Sequence, residues 1–235
     1  MNELKDIDSA ILCGGLGKRL RSAIGESQKV MAQVNDEPFL NILLKSIAAQ
    51  GGKHVVLLTG YKSDSVEKYY REKTFGLKID FSKETEPLGT GGALKNAHPL
   101  ITSDPFIMMN GDSFCELDLT KLVEFQKTQN ALGVLAVREV EDAQDYGTVA
   151  LDSKKKIIGF KEKVKNGKAY INAGVYCFSQ KIFDVLPGNK NFSIERDVFP
   201  KLAGQGLYGC IVKKQFIDVG VPKRYNEAQK IFKRK

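Results

Sequence analysis

Leu12-Cys13-Gly14-Gly15-Leu16-Gly17-Lys18-Arg19-Leu20 decides how the rest of this chain is read. The segment closes a short apolar run, Ser9–Cys13, and precedes a lone Lys29. A strand that ends in glycines lets the backbone pass within hydrogen-bond distance of a polyphosphate, because glycine tolerates positive φ and has no side chain to obstruct the approach. Arg19 and Lys29 supply the cationic charge such a ligand requires. The same letters also spell a plain tight turn, so the remaining motifs must choose between the two.

Outward from that loop, short apolar runs alternate with amphipathic segments, the pattern of an α/β protein with a mostly parallel sheet flanked by helices. Strands are predicted at Ser9–Cys13, His54–Thr59, Leu77–Phe81 and Phe106–Met109. A helix opens at Pro38 and repeats apolar residues through Ile47 at helical spacing. Ser65–Lys73 and Leu119–Gln129 read as further crossover helices, the second with Asp118 near its start. Beyond them Val134–Val137, Thr148–Leu151, Ile157–Lys161 and Ile171–Phe178 are strand-like with turns between, so the second half is expected to be mixed and partly antiparallel. Short helices at Gln180–Leu186 and Ile194–Leu202 precede a last strand pair, Tyr208–Val212 with Gln215–Asp218, and Pro222 starts a closing helix. There is no internal repeat or Pro/Gly/Ser linker, and one domain is expected, with a first half over about residues 1–130 and a second over about 131–235.

The chain has 235 residues, 42% of them hydrophobic and 27% charged, which is ordinary for a globular protein. No apolar stretch approaches the roughly 20 residues needed to span a bilayer. The first residues lack the layout of a signal peptide, so a cytoplasmic location is expected. Cys13, Cys115, Cys177 and Cys210 stand singly in apolar contexts and read as buried small hydrophobes rather than a zinc site or disulfide framework. His54 and His98 have no acidic or thiol partner at metal-ligand spacing. A formal net charge of +8 favours anionic partners, part of it in the tail Lys230–Lys235. No aromatic RNA-binding signature accompanies the charge, so small phosphorylated molecules are expected as partners, with no nucleic acid and no membrane.

Asn110-Gly111-Asp112-Ser113 follows the apolar run Phe106–Met109, so Asp112 projects from the carboxyl end of a buried strand, where open α/β sheets bind ligands. A hard carboxylate there suits Mg²⁺, which bridges carboxylates to substrate phosphates. Asp218, at the end of Phe216-Ile217-Asp218 and ahead of Gly220 and Pro222, supplies a partner carboxylate, or alternatively a helix cap. Glu86-Pro87-Leu88-Gly89-Thr90-Gly91-Gly92-Ala93-Leu94 is a second glycine-rich turn, leading into a helix and suited to a nucleobase read by main-chain groups.

With Phe160-Lys161-Glu162-Lys163, Asn172-Ala173-Gly174-Val175-Tyr176 and Ile217-Asp218-Val219-Gly220 added, these motifs stand in one order, and the chain resembles the sugar-1-phosphate nucleotidyltransferases over essentially its full length. Within them the Glu86–Leu94 segment and the Pro38-Phe39-Leu40 helix start look most like guanylyltransferases acting on D-glycero-α-D-manno-heptose 1-phosphate. The resemblance implies a Rossmann-like sheet with a sugar-binding elaboration in the second half. It implies that Gly14, Gly15 and Gly17 line nucleotide phosphates and that Arg19, Lys29 and Asp112 are catalytic. Glu86, Gly91 and Gly92 are placed near the base, with Leu12, Lys18, Gly89, Thr90, Asn110 and Gly111 completing the nucleotide set. Asp112 and Asp218 hold Mg²⁺, Lys163 grips the sugar phosphate, and Gly147, Glu162, Asn172 and Glu195 contact the sugar. The substrates implied are GTP and the sugar 1-phosphate, handled by a monomer or homodimer.

Three positions depart from the pattern: Gln28 where Pro usually precedes the lysine, Lys18 where Thr or Ser is common, and Phe216 where Trp is frequent. They bear on loop geometry and on which base and sugar are used, with mannose 1-phosphate and GTP, or glucose 1-phosphate and a pyrimidine nucleotide, as alternatives. A nicotinamide-dependent oxidoreductase fits poorly, because the third fingerprint glycine is Leu20 and no acidic residue follows the second strand. A non-catalytic nucleotide-sugar sensor would not need Asp112, Asp218, Arg19 and Lys29 together. No repeat follows the closing helix, so no appended acyltransferase or isomerase is expected.

Overall fold

The computed structural model describes residues 3–15, 17–25, 27–144, 146–161 and 167–233. In chain order these form β1 (Asp8–Leu12), α1 (Arg21–Ile24), β2 (Gln33–Val34), β3 (Glu37–Pro38), α2 (Phe39–Ala49), β4 (His54–Thr59), α3 (Ser63–Glu72), β5 (Lys78–Lys83), α4 (Gly89–Ala97), β6 (Phe106–Asn110), β7 (Ser113–Cys115) and α5 (Leu119–Gln129). The second half adds β8 (Gly133–Val140), β9 (Thr148–Leu151), β10 (Ile157–Lys161), β11 (Ala169–Phe178), β12 (Leu207–Ile211), β13 (Phe216–Asp218) and α6 (Pro222–Ile231).

The central sheet runs β12-β8-β11-β6-β1-β4-β5, and only β11 opposes the common direction. β9 pairs antiparallel with the first half of β11, and β10 pairs antiparallel with β9 outside it, which gives the second half of the chain the mixed character its sequence suggests. Side chains alternate between two cores. Ile11, Val55, Leu57, Ile107, Met109, Val175 and Cys177 face one side, where α2, α3, α5 and α6 pack. Ala10, Val56, Leu58, Met108, Tyr176 and Phe178 face the other, against α4 and residues 182–202. Both faces are covered, so the parallel strands read as continuous apolar runs. Helix α2 buries Phe39, Leu40, Leu43, Leu44 and Ile47 on one stripe, each worth roughly 1.5–3 kcal/mol relative to exposure. The four cysteines are free thiols within this packing, and among the described residues no helix is long and apolar enough to cross a membrane.

Two sequence expectations need correction. Tyr208–Val212 and Gln215–Asp218 do not pair with each other: β12 adds to β8 in parallel, and β13 pairs antiparallel with β7. The edge of β8 offers a longer partner than a three-residue strand, and β13 is left to close a small sheet of its own. The expected helix over Ile194–Leu202 is a π turn, Ile194–Val198, followed by a 3₁₀ turn, Phe199–Leu202; such wide turns are frequent at functional sites.

Because β1, β4, β5, β6 and β8 run the same way, their carboxyl ends share one edge. The chain moves outward from β1 to β4 and β5, then returns to the other side of β1 with β6. That reversal opens a crevice beyond Leu12 and Asn110, the position where doubly wound sheets bind ligands.

Candidate active site

A cavity of about 330 Å³ fills that crevice, lined by Leu12, Gly14, Gly15, Lys29, Glu84, Pro87, Gly89, Thr90, Asn110, Gly111 and Asp112. The glycines at its floor are glycines for different reasons. A Cβ on Gly14 would stand 3.0 Å from Glu84 Oε1 and 3.4 Å from Gly60 N, so two loops meet there. A Cβ on Gly15 would meet no protein atom within 4 Å. Nothing in the fold demands a bare backbone at Gly15, whereas a ligand lying against it would.

Gly17 sits nearby in a left-handed turn at φ +58°, its backbone against Lys29, while Arg19 is exposed on the following turn and does not line the cavity. Leu16, Glu162, Lys163 and the side chain of Lys18 lie outside the described residues. Glu86 is also outside the cavity wall, pairing with Lys190 at 3.5 Å on the surface. The cavity's acid from this region is Glu84, which the sequence reading missed. It is the first residue beyond the carboxyl end of β5, at the same edge of the sheet that singled out Asp112 beyond β6. Burial pushes its carboxyl up, against a hydrogen bond that Oε2 accepts from Leu88 N at 3.1 Å.

Gly91 and Gly92 serve packing. A Cβ on Gly91 would stand 2.2 Å from the Phe192 ring, and one on Gly92 only 2.1 Å from Lys190 O. Their amides donate to Phe192 O at 3.0 and 3.3 Å, which clamps residues 188–193 over the start of α4.

Asp112 and Asp218 come together through the small sheet that the sequence did not foresee. β13 pairs with β7 so that Asp218 lies opposite Ser113, and Val219 N donates to Asp112 O at 2.9 Å. Lys29 Nζ donates to the Asp112 carboxylate. Asp218 Oδ2 pairs with Arg224 at 3.0 Å, and Oδ1 accepts from Gly220 N. Burial and then the negative charge of Asp112 push the Asp218 carboxyl up, outweighing Arg224 and Lys29. Two carboxylates held close enough to repel form an oxygen donor pair that fits a hard divalent cation. Arg224, also missed by the sequence reading, lies over the Tyr146 ring at 5.0 Å, and Phe216 meets that ring edge-on at 6.3 Å. Gln28 is buried before Lys29, and neither of its amide atoms has a partner among the described residues.

A second cavity, about 470 Å³, lies on the side of the second half, lined by Tyr146, Gly147, Thr148, Phe160, Lys161, Asn172, Glu195, Arg196 and Phe199. A bulge in β11 between Asn172 and Tyr176 shifts the register against β8. Gly174 within it has φ +71°, and its amide donates to Asn172 Oδ1 at 2.9 Å. Bulges of this kind re-aim side chains beside active sites. Asn172 Nδ2 then donates to the Tyr176 hydroxyl at 2.8 Å. Tyr176 is fully buried; burial raises its hydroxyl far above the usual range, and the neighbouring side chain of Asn110, from the first cavity, acts against that rise. Tyr176 thus touches one residue from each cavity. Inside a continuous apolar strand it reads as core, and no local signal marks it.

The two histidines stand elsewhere. His54 bridges Asp8 and Asp80 at the amino ends of the strands, and His98 stacks on Phe183 with centroids 3.9 Å apart.

The profile of the nucleotidyl transferase family matches residues 9–235. The D-glycero-α-D-manno-heptose 1-phosphate guanylyltransferase of Aneurinibacillus thermoaerophilus is 38% identical over 225 residues, 95% of this chain and 97% of that protein. The protein of the same name from Campylobacter jejuni is 37% identical over 219 residues, 93% and 97% of the two chains. The crystal structure of HddC from Yersinia pseudotuberculosis complexed with GMP-PN superimposes with a TM-score of 0.87 at 36% identity, covering 97% of this chain and all of that one.

Proposed function

The chain belongs to the nucleotidyl transferase family, and from that premise we propose that it transfers a guanylyl group from GTP to D-glycero-α-D-manno-heptose 1-phosphate, releasing pyrophosphate. The observation that carries the reading is the pair of cavities linked through Asn110, Tyr176 and Asn172, one lined by bare glycine backbone and Lys29, the other by polar groups suited to a sugar. Two relatives bearing the heptose name along nearly their whole length support the choice of sugar.

The reaction asks little covalent chemistry of the protein. A phosphate oxygen of the sugar 1-phosphate is already anionic, so it attacks the α-phosphorus without a general base. A P–O bond forms as the bond to the departing pyrophosphate breaks in line with it. Positioning two anions and offsetting their charge is the task. Gly14 and Gly15 let the backbone approach the nucleotide phosphates, and Lys29 sits where negative charge gathers. Arg19 reaches the leaving group from its exposed turn, and Lys163 grips the phosphate of the nucleophile. Glu84 Oε1, free of the Leu88 amide, is an acceptor for the N1–H and 2-amino donors that guanine presents side by side, a pair that uracil, thymine and cytosine do not offer. Gly147, Glu162, Asn172 and Glu195 receive the sugar hydroxyls. Asp112 and Asp218 would hold Mg²⁺, which would supply positive charge against the repulsion between the two anionic substrates. The need for a nucleoside triphosphate supports a cytoplasmic location for the reaction.

Pyrophosphate release is measured with Mg²⁺, each of GTP, ATP, CTP, UTP and dTTP, and a panel of sugar 1-phosphates. Fastest release with GTP and the heptose 1-phosphate is expected. No release with any pair would sink the reading, and faster turnover with a pyrimidine nucleotide or with mannose 1-phosphate would sink the base or the sugar.

A further inference from the structure

Thr90 lines the nucleotide cavity, yet its hydroxyl is committed to the other one. Oγ1 accepts from Ile194 N at 3.0 Å and donates to Glu195 Oε2 at 2.5 Å. Ser193 Oγ donates to the same oxygen at 2.8 Å. Glu195 Oε1 has no partner among the described residues, and Glu195 lines the second cavity. We propose that Thr90 is a positioning residue for the sugar phosphate: by fixing the Glu195 carboxylate, a side chain on the nucleotide wall sets the affinity for the second substrate. The inference rests on Glu195 contacting the sugar.

Each contact restricts the next. The Ile194 amide occupies a lone pair of Oγ1, and the hydroxyl hydrogen has the Glu195 carboxylate as its near acceptor, Ser193 Oγ lying farther off at 3.5 Å. Charge-assisted bonds of this kind are the stronger ones, and two donors on one oxygen restrain a side chain that otherwise rotates freely. Thr90 is itself held, because its neighbours Gly91 and Gly92 bond to Phe192 O. Ser193 is fixed in turn: its amide donates to Asp197 Oδ2 at 2.7 Å. Glu195 therefore stands on a braced turn with one oxygen anchored and the other presented to the cavity.

The test compares Thr90→Val, which keeps the shape and removes the hydroxyl, with Thr90→Ser, which keeps the hydroxyl. For Thr90→Val, loss of a hydrogen bond to a charged group predicts a KM for the sugar 1-phosphate raised about tenfold. The KM for the nucleoside triphosphate is expected to rise less than that for the sugar 1-phosphate, and Thr90→Ser is expected to bring the sugar KM back to within about twofold of wild type. An effect confined to the nucleotide KM, no effect at all, or failure of Ser to rescue would overturn the proposal. Should Thr90→Val lose stability, the double variant with Glu195→Ala decides: adding Thr90→Val to Glu195→Ala is expected to change the sugar KM no further, and an additive loss would overturn the proposal. Wild-type turnover is measured first. Absence of turnover with every substrate pair brings down the functional reading and this inference with it, whereas normal wild-type turnover beside an unaltered Thr90→Val brings down this inference alone.

Discussion

The two ends of the parallel strands each gather carboxylates and a cation, and they use them in opposite ways. At the amino end Asp8 accepts hydrogen bonds from Thr102 N at 2.6 Å, Ser103 N at 2.9 Å and the His54 ring at 2.7 Å. Burial pushes its carboxyl up, but those bonds outweigh it and hold the group well below the usual carboxylate range. At the carboxyl end Asp218 is largely buried, also beside cations, and its carboxyl is pushed up, first by burial and then by the charge of Asp112. A cluster whose charges are settled by the fold is a fastening. One that leaves like charges together stores a demand that a bound cation can meet.

Asp112→Asn breaks the contrast most severely. It removes a charge from the site without disturbing the core, so turnover is expected to fall by about a thousandfold while the melting temperature stays within a few degrees. Near-normal pyrophosphate release would place the metal elsewhere. Asp8→Ala is the mirror experiment. It strips the acceptor from two amides and an imidazole at a nearly buried position, with an expected loss of about 3 kcal/mol, or roughly 10 °C in melting temperature. Turnover per folded molecule should not change; if it does, the amino-end cluster is more than a fastening.

Glycine substitutions sharpen the same distinction on a smaller scale. Gly92→Ala drives a Cβ into Lys190 O and should cost about 2 kcal/mol of stability. Gly15→Ala meets no protein atom, so stability should hold while the KM for GTP rises about tenfold. If both variants unfold alike, or neither alters GTP binding, the distinction between packing glycine and ligand glycine is wrong.

Sequence legibility followed the same division. Buried parallel strands announce themselves as apolar runs, and once β6 was recognised its first carboxylate, Asp112, was identifiable as a residue of the ligand edge. Glu84 obeys the same rule but stayed hidden, because β5 is the edge strand and its Lys78, Asp80 and Ser82 blur where it ends. The glycines at 91 and 92 looked like ligand contacts since their packing partners, Lys190 and Phe192, are remote in the chain. Adjacency suggested that β12 and β13 form a hairpin, yet pairing with β7 is what carries Asp218 to Asp112. Contacts set by chain topology leave no local mark, and Tyr176 and Arg224 fall in that class.

Metal removal and pH probe the smallest effects. A folded pKa raised above the unfolded value means that the Asp218 charge opposes folding at neutral pH, and that the penalty grows as pH rises from about 4 through the folded pKa. Mg²⁺ is expected to raise the melting temperature of the wild-type protein and leave Asp218→Asn unmoved, and an equal rise in both would remove Asp218 from the metal site. His54 runs the other way. Its hydrogen bond to Asp8 raises its pKa, against burial, so the stability it contributes is complete below about pH 6.5 and is lost as pH rises through the folded value. Asp8, held low, contributes above about pH 4 and loses its share only as pH falls through its own folded value. The amino-end fastening is therefore at full strength between those limits. Melting temperatures taken from about pH 6 to about pH 9 should decline in the wild type and decline less in His54→Gln, since the variant has no imidazolium to lose. Parallel curves for the two would mean that His54 carries no charge in the folded protein and that the amino end is held by Thr102 and Ser103 alone.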